Sequence, residues 1–249
     1  MKKIFTISIS IFCAVFLFSA FKLIDYYKGS YSSEKKYDEL QSLIKDDLNI
    51  EYNEEPMTFS EKYEELLNRN NDMAAWISIE GTNVNYPVMQ TPEYEEYYLR
   101  KDFDKAYALR GSLFLNGDAT FDSINMTIYG HNMDDGTMFG ALRSYTDKSF
   151  YEEHKYIKLE SKAGTRFYQI AFVFKTVDII GHQNFISYYN FKNPNKDEFN
   201  QQIKLYEKAA LYDTFVEVEY GSQLLTLSTC EYSQKQGRLV IVAKLVYEE

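Results

Sequence analysis

The sequence predicts a mainly β domain: a closed barrel of roughly eight strands, preceded by helices and carrying one helix inserted late in the chain. Three observations support this. From residue 76 onward, apolar runs are of strand length and are bounded by Gly, Asn or Asp. Aromatic residues make up 17% of the chain, with 23 Tyr and 18 Phe, a composition that favours strands and wet binding surfaces. The strands are many and short, and closing them into a barrel removes exposed edges. The chain is 249 residues long, enough for one good-sized domain with attachments.

At the N-terminus, Lys2 and Lys3 precede an uncharged run over 4–21 that ends at Lys22. As a helix this run rises about 27 Å, close to a bilayer core. Phe18, Ser19, Ala20 and Phe21 match a signal-peptidase site poorly because Phe18 is bulky. The expectation is therefore an uncleaved single-pass signal-anchor over 1–25 that places the rest of the chain outside the cell membrane. Residues 26–72 follow as a stalk with N-terminal helices, and residues 73–249 as the barrel domain.

Residues 33–45 read as a helix, because Tyr37, Leu40 and Ile44 recur at helical spacing. Residues 49–56 are acidic and polar, as in a linker. Thr58, Phe59, Ser60 and Glu61 have capping-box spacing ahead of Tyr63, Leu66 and Leu67, so a second helix is expected there. Strands are expected over 76–79 and 84–89, with Pro87 marking an edge or bulge. Residues 93–99 read as a short helix. Residues 112–115 and 126–129 read as compact strands, and 137–145 and 149–154 as helical turns. Strands follow over 156–160 and 166–180, the second long enough to bend. Phe199, Ile203, Tyr206 and Ala210 share one face of a helix over 197–210. Residues 215–218, 224–227 and 239–247 complete the strands.

Charge and cysteine content narrow the function. The net charge is −10, whereas phosphate binding needs a basic face, so nucleic acid is not the expected partner. Two cysteines exclude a disulfide scaffold. With Cys13 inside the apolar run, Cys230 is the only thiol left for the folded domain. It is either a reactive thiol, an intermolecular bridge or a small buried apolar residue.

Cys230 ends an apolar strand, so the scaffold could hold it rigidly at a rim. A cysteine nucleophile needs a proton partner, since the thiolate is the reactive form. The chain has three histidines. His131 follows Gly130 at the end of the 126–129 strand and is the best candidate. His154 lies in a charged helical turn, and His182 follows Gly181 in an aromatic, polar loop. An acyl-transfer oxyanion wants preorganised donors. Arg238 opens the last strand after a short polar loop, which brings it near Cys230; alternatively it is a surface charge opening an edge strand. The three histidines and Cys230 match no compact zinc pattern, and no metal is expected. No phosphate loop, nucleophile-elbow Ser or dinucleotide fingerprint is present.

Taken together these residues resemble the sortase family. Thr226, Leu227, Ser228, Thr229 and Cys230 match its T-L-x-T-C signature. Leu239 to Val242, directly after Arg238, is similar to the strand carrying the family's arginine, and Ile128 to Asn132 to the segment carrying its histidine. The helices ahead of the barrel and the helix before the cysteine strand resemble class B. The Asp-Pro-aromatic lid motif of class C is not matched by Glu55, Pro56 and Met57. The resemblance implies a sortase-type eight-stranded barrel and a cysteine transpeptidase that needs no cofactor. It implies Cys230 as nucleophile, His131 as acid and base, and Arg238 as oxyanion or carbonyl donor, with Thr229, Ser228 and Glu231 as substrate contacts. Its substrates would be surface proteins with a C-terminal sorting signal such as Asn-Pro-x-Thr-Asn/Gly, and its acceptor a peptidoglycan amine. A membrane-tethered ligand-binding protein with a structural cysteine and a hydrolytic cysteine peptidase stand as alternatives.

Overall fold

The computed structural model describes residues 2–46, 59–189 and 191–249. Eight strands form the sheet: β1 (Met73–Ser78), β2 (Asn85–Met89), β3 (Leu113–Leu115), β4 (Asn125–Tyr129), β5 (Tyr156–Ser161), β6 (Gly164–Val177), β7 (Leu224–Glu231) and β8 (Gly237–Glu248). They close into one barrel in the order β1-β2-β3-β4-β7-β8-β6-β5. Two pairs are parallel, β2 with β3 and β4 with β7; the other pairs are antiparallel. Pro87 pairs with Trp76 of β1, while β3 reaches β2 only at Val88 and Met89, so the missing N–H falls where β2 has a single neighbour. The long β6 bends through register shifts at Phe167/Tyr168 and Ile170/Phe172.

Strand periodicity builds two cores. Along β8, Leu239, Ile241 and Ala243 face the barrel core with Ile77, Ile128 and Leu227. Val240 and Val242 face the opposite way, into a second cluster with Phe172 and Phe174. That outer cluster is covered by α5 (Lys196–Ala209), through Phe199, Ile203 and Tyr206. A complete capping box at Asn195 and Glu198 starts this helix. Stacking of Tyr206 on Phe174, with ring centroids 4.9 Å apart, fastens it to β6.

The N-terminal helix α1 (Lys2–Asp46) contains the helix expected over 33–45 and packs Tyr37, Leu40 and Ile44 into the barrel-side core. The Tyr37 hydroxyl donates to the Gly111 carbonyl at 3.1 Å, and Lys36 pairs with Asp102 at 2.6 Å. The second helix is split into α2 (Phe59–Lys62) and α3 (Glu64–Arg69). The break falls at Tyr63, which has φ −115 and ψ 17 and is buried with its ring stacked 5.6 Å from Trp76. Thr58 of the expected capping box and the linker at 49–56 lie outside the described residues. The expected short helices are present as 3-10 turns at Glu95–Arg100 and Gly140–Thr146, and as α4 (Lys148–Glu153).

Two expectations are corrected. Residues 215–218 are not a strand. Phe215 has φ 59, a left-handed conformation that no strand can contain. Local side-chain bonds capture the backbone there: Phe215 N–H donates to Asp213 Oδ1 at 2.8 Å, and Val216 N–H donates to Thr214 Oγ1 at 3.4 Å. The single-pass membrane anchor is also overturned. Among the described residues, no helix is long and apolar enough to cross a membrane. Thr6, Ser8, Ser10 and Ser19 dilute the apolar character of the uncharged run.

Candidate active site

The parallel pairing of β4 with β7 sets Tyr129 opposite Ser228, so the residues that follow, His131 and Cys230, emerge at the same rim. The antiparallel pairing of β7 with β8 then sets Arg238 directly opposite Cys230. All three residues line one cavity of about 590 Å³, together with Leu99, Asp178 and Tyr188.

The ends of β4 and β7 are laced together. Gly130 N–H donates to the Ser228 carbonyl at 3.2 Å. Thr229 Oγ1 donates to the Gly130 carbonyl at 2.8 Å, and Asn132 Nδ2 donates to the Cys230 carbonyl at 2.7 Å. The rim therefore holds the backbone on both sides of the thiol. Gly130 must be glycine, because an added Cβ would lie 2.3 Å from Leu113 Cδ2 and 2.7 Å from Phe139 Cδ2.

His131 Nε2 sits 2.8 Å from the Leu99 carbonyl oxygen. A carbonyl only accepts, so Nε2 carries the proton and Nδ1 is the nitrogen left for chemistry. Burial lowers the His131 pKa below its ordinary value; the bond to Leu99 opposes that shift and the positive charge of Arg100 adds to it. The imidazole thus leans toward its neutral form.

Arg238 is oriented by a carboxylate: its Nη2 lies 3.2 Å from Asp178 Oδ2, and its Nη1 donates to the Gly237 carbonyl at 3.1 Å. Tyr189 donates its hydroxyl to the other Asp178 oxygen at 3.4 Å. Cys230 is partly exposed and forms no disulfide.

The residues expected to contact substrate are placed differently from one another. Ser228 and Thr229 line the cavity, but both are buried and their hydroxyls are committed, Ser228 Oγ to the Tyr188 hydroxyl at 2.8 Å and Thr229 Oγ1 to Gly130. The Glu231 carboxylate is turned to Lys175, 3.0 Å away, and to Ser233. Burial raises its pKa, but the Ser233 and Lys175 contacts outweigh that and hold it below the usual carboxylate range. His154 and His182 are not brought into the cavity. His154 Nδ1 lies 2.9 Å from the Glu80 carbonyl, and the exposed His182 accepts the Asn184 N–H at 3.1 Å. Among the described residues, no group of three or more His, Cys, Asp or Glu is gathered to hold a metal ion.

Sequence reasoning missed Leu99, Asn132, Asp178 and Tyr188. Asn132 sits beside His131 in the turn and could have been suspected from that position. Leu99 acts through its backbone, which no side-chain pattern reveals. Asp178 and Tyr188 reach the site only through the fold.

Comparison with known proteins agrees with this geometry. The model of the sortase domain matches residues 77–246. The chain is 29% identical to sortase B of Staphylococcus aureus over 250 residues, covering 99% of this chain and 98% of that protein. It is 31% identical to sortase B of Listeria monocytogenes over 242 residues, covering 93% and 92% respectively. Among solved structures, the Staphylococcus aureus sortase B–substrate complex superposes with a TM-score of 0.76 at 28% identity, covering 87% of this chain and 97% of that one.

Proposed function

The chain belongs to the sortase family, and from that premise we propose how its groove carries out transpeptidation. The activity is that of a cysteine transpeptidase of the sortase B type, acting on sorting-signal substrates and an amine nucleophile. The readings as a ligand-binding protein with a structural cysteine and as a hydrolytic peptidase are not favoured.

In the proposed reaction, Cys230 Sγ adds to the threonine carbonyl carbon of the sorting signal. The peptide C–N bond breaks, and His131 gives a proton to the leaving amine. The acyl group then rests on Cys230 as a thioester. An incoming amine adds to the thioester carbon, His131 takes a proton from it, and Cys230 leaves as the C–S bond breaks. Arg238 donates hydrogen bonds to the carbonyl oxygen as negative charge develops on it. Asp178 and Tyr189 keep the guanidinium fork aimed. Thr229 and Asn132 act through the backbone, fixing Gly130 and the Cys230 carbonyl. The preferred signal is an Asn-Pro-x-Thr-Asn/Gly pentapeptide or a variant of it, and the acceptor is an amine of a peptidoglycan peptide.

The register of three strands carries this reading: it sets thiol, imidazole and guanidinium around one cavity. The test is to incubate the protein with a panel of sorting-signal peptides and record intact mass, with and without an added amine. An acyl adduct on Cys230, with a new amide formed only when amine is present, supports the proposal. Cleavage that stays purely hydrolytic at saturating amine refutes it.

A further inference from the structure

A second cavity, of about 720 Å³, adjoins the cysteine groove and shares Glu95, Tyr129 and Tyr189 with it. It extends away from the rim that carries Cys230 and His131. Asn116 on its wall donates its backbone N–H to Thr127, which lies ahead of Tyr129 on β4. α5 forms its far side through Glu198 and Gln201.

Four polar side chains of this lining, Glu95, Tyr129, Ser187 and Gln201, are uncommitted among the described residues, whereas the others are hydrogen-bonded or ion-paired. At the junction of the two cavities, the Tyr129 hydroxyl has no hydrogen-bond partner among the described residues. Ser187 Oγ is buried without a partner. Glu95 and Gln201 are exposed, and neither makes an ion pair or side-chain hydrogen bond among the described residues. The local charge is negative: Asp118 is neutralised by Lys192 at 2.8 Å, whereas Glu95 and Glu198 have no cation beside them among the described residues. One buried hydroxyl, the uncommitted Tyr129 hydroxyl and an acidic edge suit an extended peptide main chain with a cationic side chain.

The reaction sets the direction. The leaving amine must lie at His131, so the acyl half of the substrate extends from Cys230 to the other side, where the second cavity opens. We infer that the residues of the substrate immediately N-terminal to its sorting motif enter this cavity, and that a lysine or arginine is favoured there. The inference rests on the transpeptidase reading above and extends it to substrate selection.

The test uses fluorescently labelled peptides that share an Asn-Pro-Gln-Thr-Asn core and carry Lys, Ala or Glu at the positions just upstream. Binding to full-length protein with Cys230→Ala is read by anisotropy at low and high salt, and turnover is read with the unaltered protein. The expected affinity order is Lys, then Ala, then Glu, with steps of about two- to fivefold that shrink at high salt. Gln201→Lys is expected to narrow or invert the order. An affinity independent of upstream charge, or an order unmoved by Gln201→Lys, overturns the subsite. If turnover proceeds normally in that case, the transpeptidase reading survives. Absence of both binding and acylation across all peptides overturns both.

Discussion

The Leu99 carbonyl oxygen and His131 Nε2 are 2.8 Å apart, which assigns the imidazole proton to Nε2 and leaves Nδ1 as the unprotonated nitrogen. The bond comes from the 3-10 turn Glu95–Arg100, itself held by the segment on which α1 packs, through Tyr37 to Gly111 and Ser112 N–H to the Tyr98 carbonyl. A helix remote from the thiol thus contributes to the orientation of the His131 imidazole.

Acylation by the proposed route requires His131 protonated to serve the leaving amine and Cys230 deprotonated to attack. The dependence of kcat/KM on pH is therefore expected to be bell-shaped. Burial moves the His131 pKa below its ordinary value, so the acid limb should lie below about pH 6.5. The sign is that raising the pH through this limb gains thiolate, while the protonated imidazole is lost. A rate that stays flat from about pH 5 to about pH 9 contradicts the assignment.

Arg238 is aimed by Asp178 at 3.2 Å. Replacing Arg238 with Ala should lower kcat by about 10²- to 10³-fold, as for loss of an oxyanion donor. Lys should restore little, because it lacks the planar fork. Asp178→Ala should produce a smaller fall, mainly in kcat, and Asp178→Asn should recover part of it by keeping an acceptor oxygen. Steady-state kinetics on the same peptide separates these cases; an unchanged kcat in Asp178→Ala removes Asp178 from the site's support.

Asn132 donates to the Cys230 carbonyl at 2.7 Å, while its own Oδ1 is buried with no partner. Asn132→Ala leaves the carbonyl without this donor, at a cost of about 1–3 kcal/mol in stability. Asn132→Asp should be worse for activity, since it sets a carboxylate against that carbonyl. Denaturant melts and acylation rates measured together check both statements.

Gly130→Ala forces a methyl against Leu113 and Phe139, both fully buried. Overpacking of this kind costs about 1–3 kcal/mol, which lowers Tm by about 2–4 °C per kcal/mol in a domain of this size. Because Gly130 precedes His131, acylation should fall by more than the stability loss explains. A variant with the parent's rate shows that the loop can absorb the methyl.

Much of the barrel is legible because most strands are apolar runs, several of them short and closed by a turn residue, as Asn116 closes β3 and Gly130 closes β4. Cys230 and His131 stood out for the same reason, each ending such a run. The order of the strands was not legible, since the parallel pairing of β4 with β7 joins segments about a hundred residues apart and leaves no local trace. The alternation of Phe215, Val216, Glu217 and Val218 mimics a strand, but side-chain bonds from Asp213 and Thr214 captured the backbone first. At the N-terminus, the uncharged run has a span's length, but Thr6, Ser8, Ser10 and Ser19 dilute it, and among the described residues no helix is apolar enough to cross a membrane.

The β4–β7 pairing also bears on when the protein becomes active. The thiol and guanidinium reside in the last two strands, whereas the imidazole emerges from the ribosome about a hundred residues earlier; the Thr229–Gly130 bond alone spans 99 positions. In the proposed mechanism, a nascent chain that stops short of β7 has a base with no nucleophile, and one that stops short of β8 lacks the oxyanion donor. On that reading, competence waits for β8 and closure of the barrel, because only then are thiol, imidazole and guanidinium all present around one cavity.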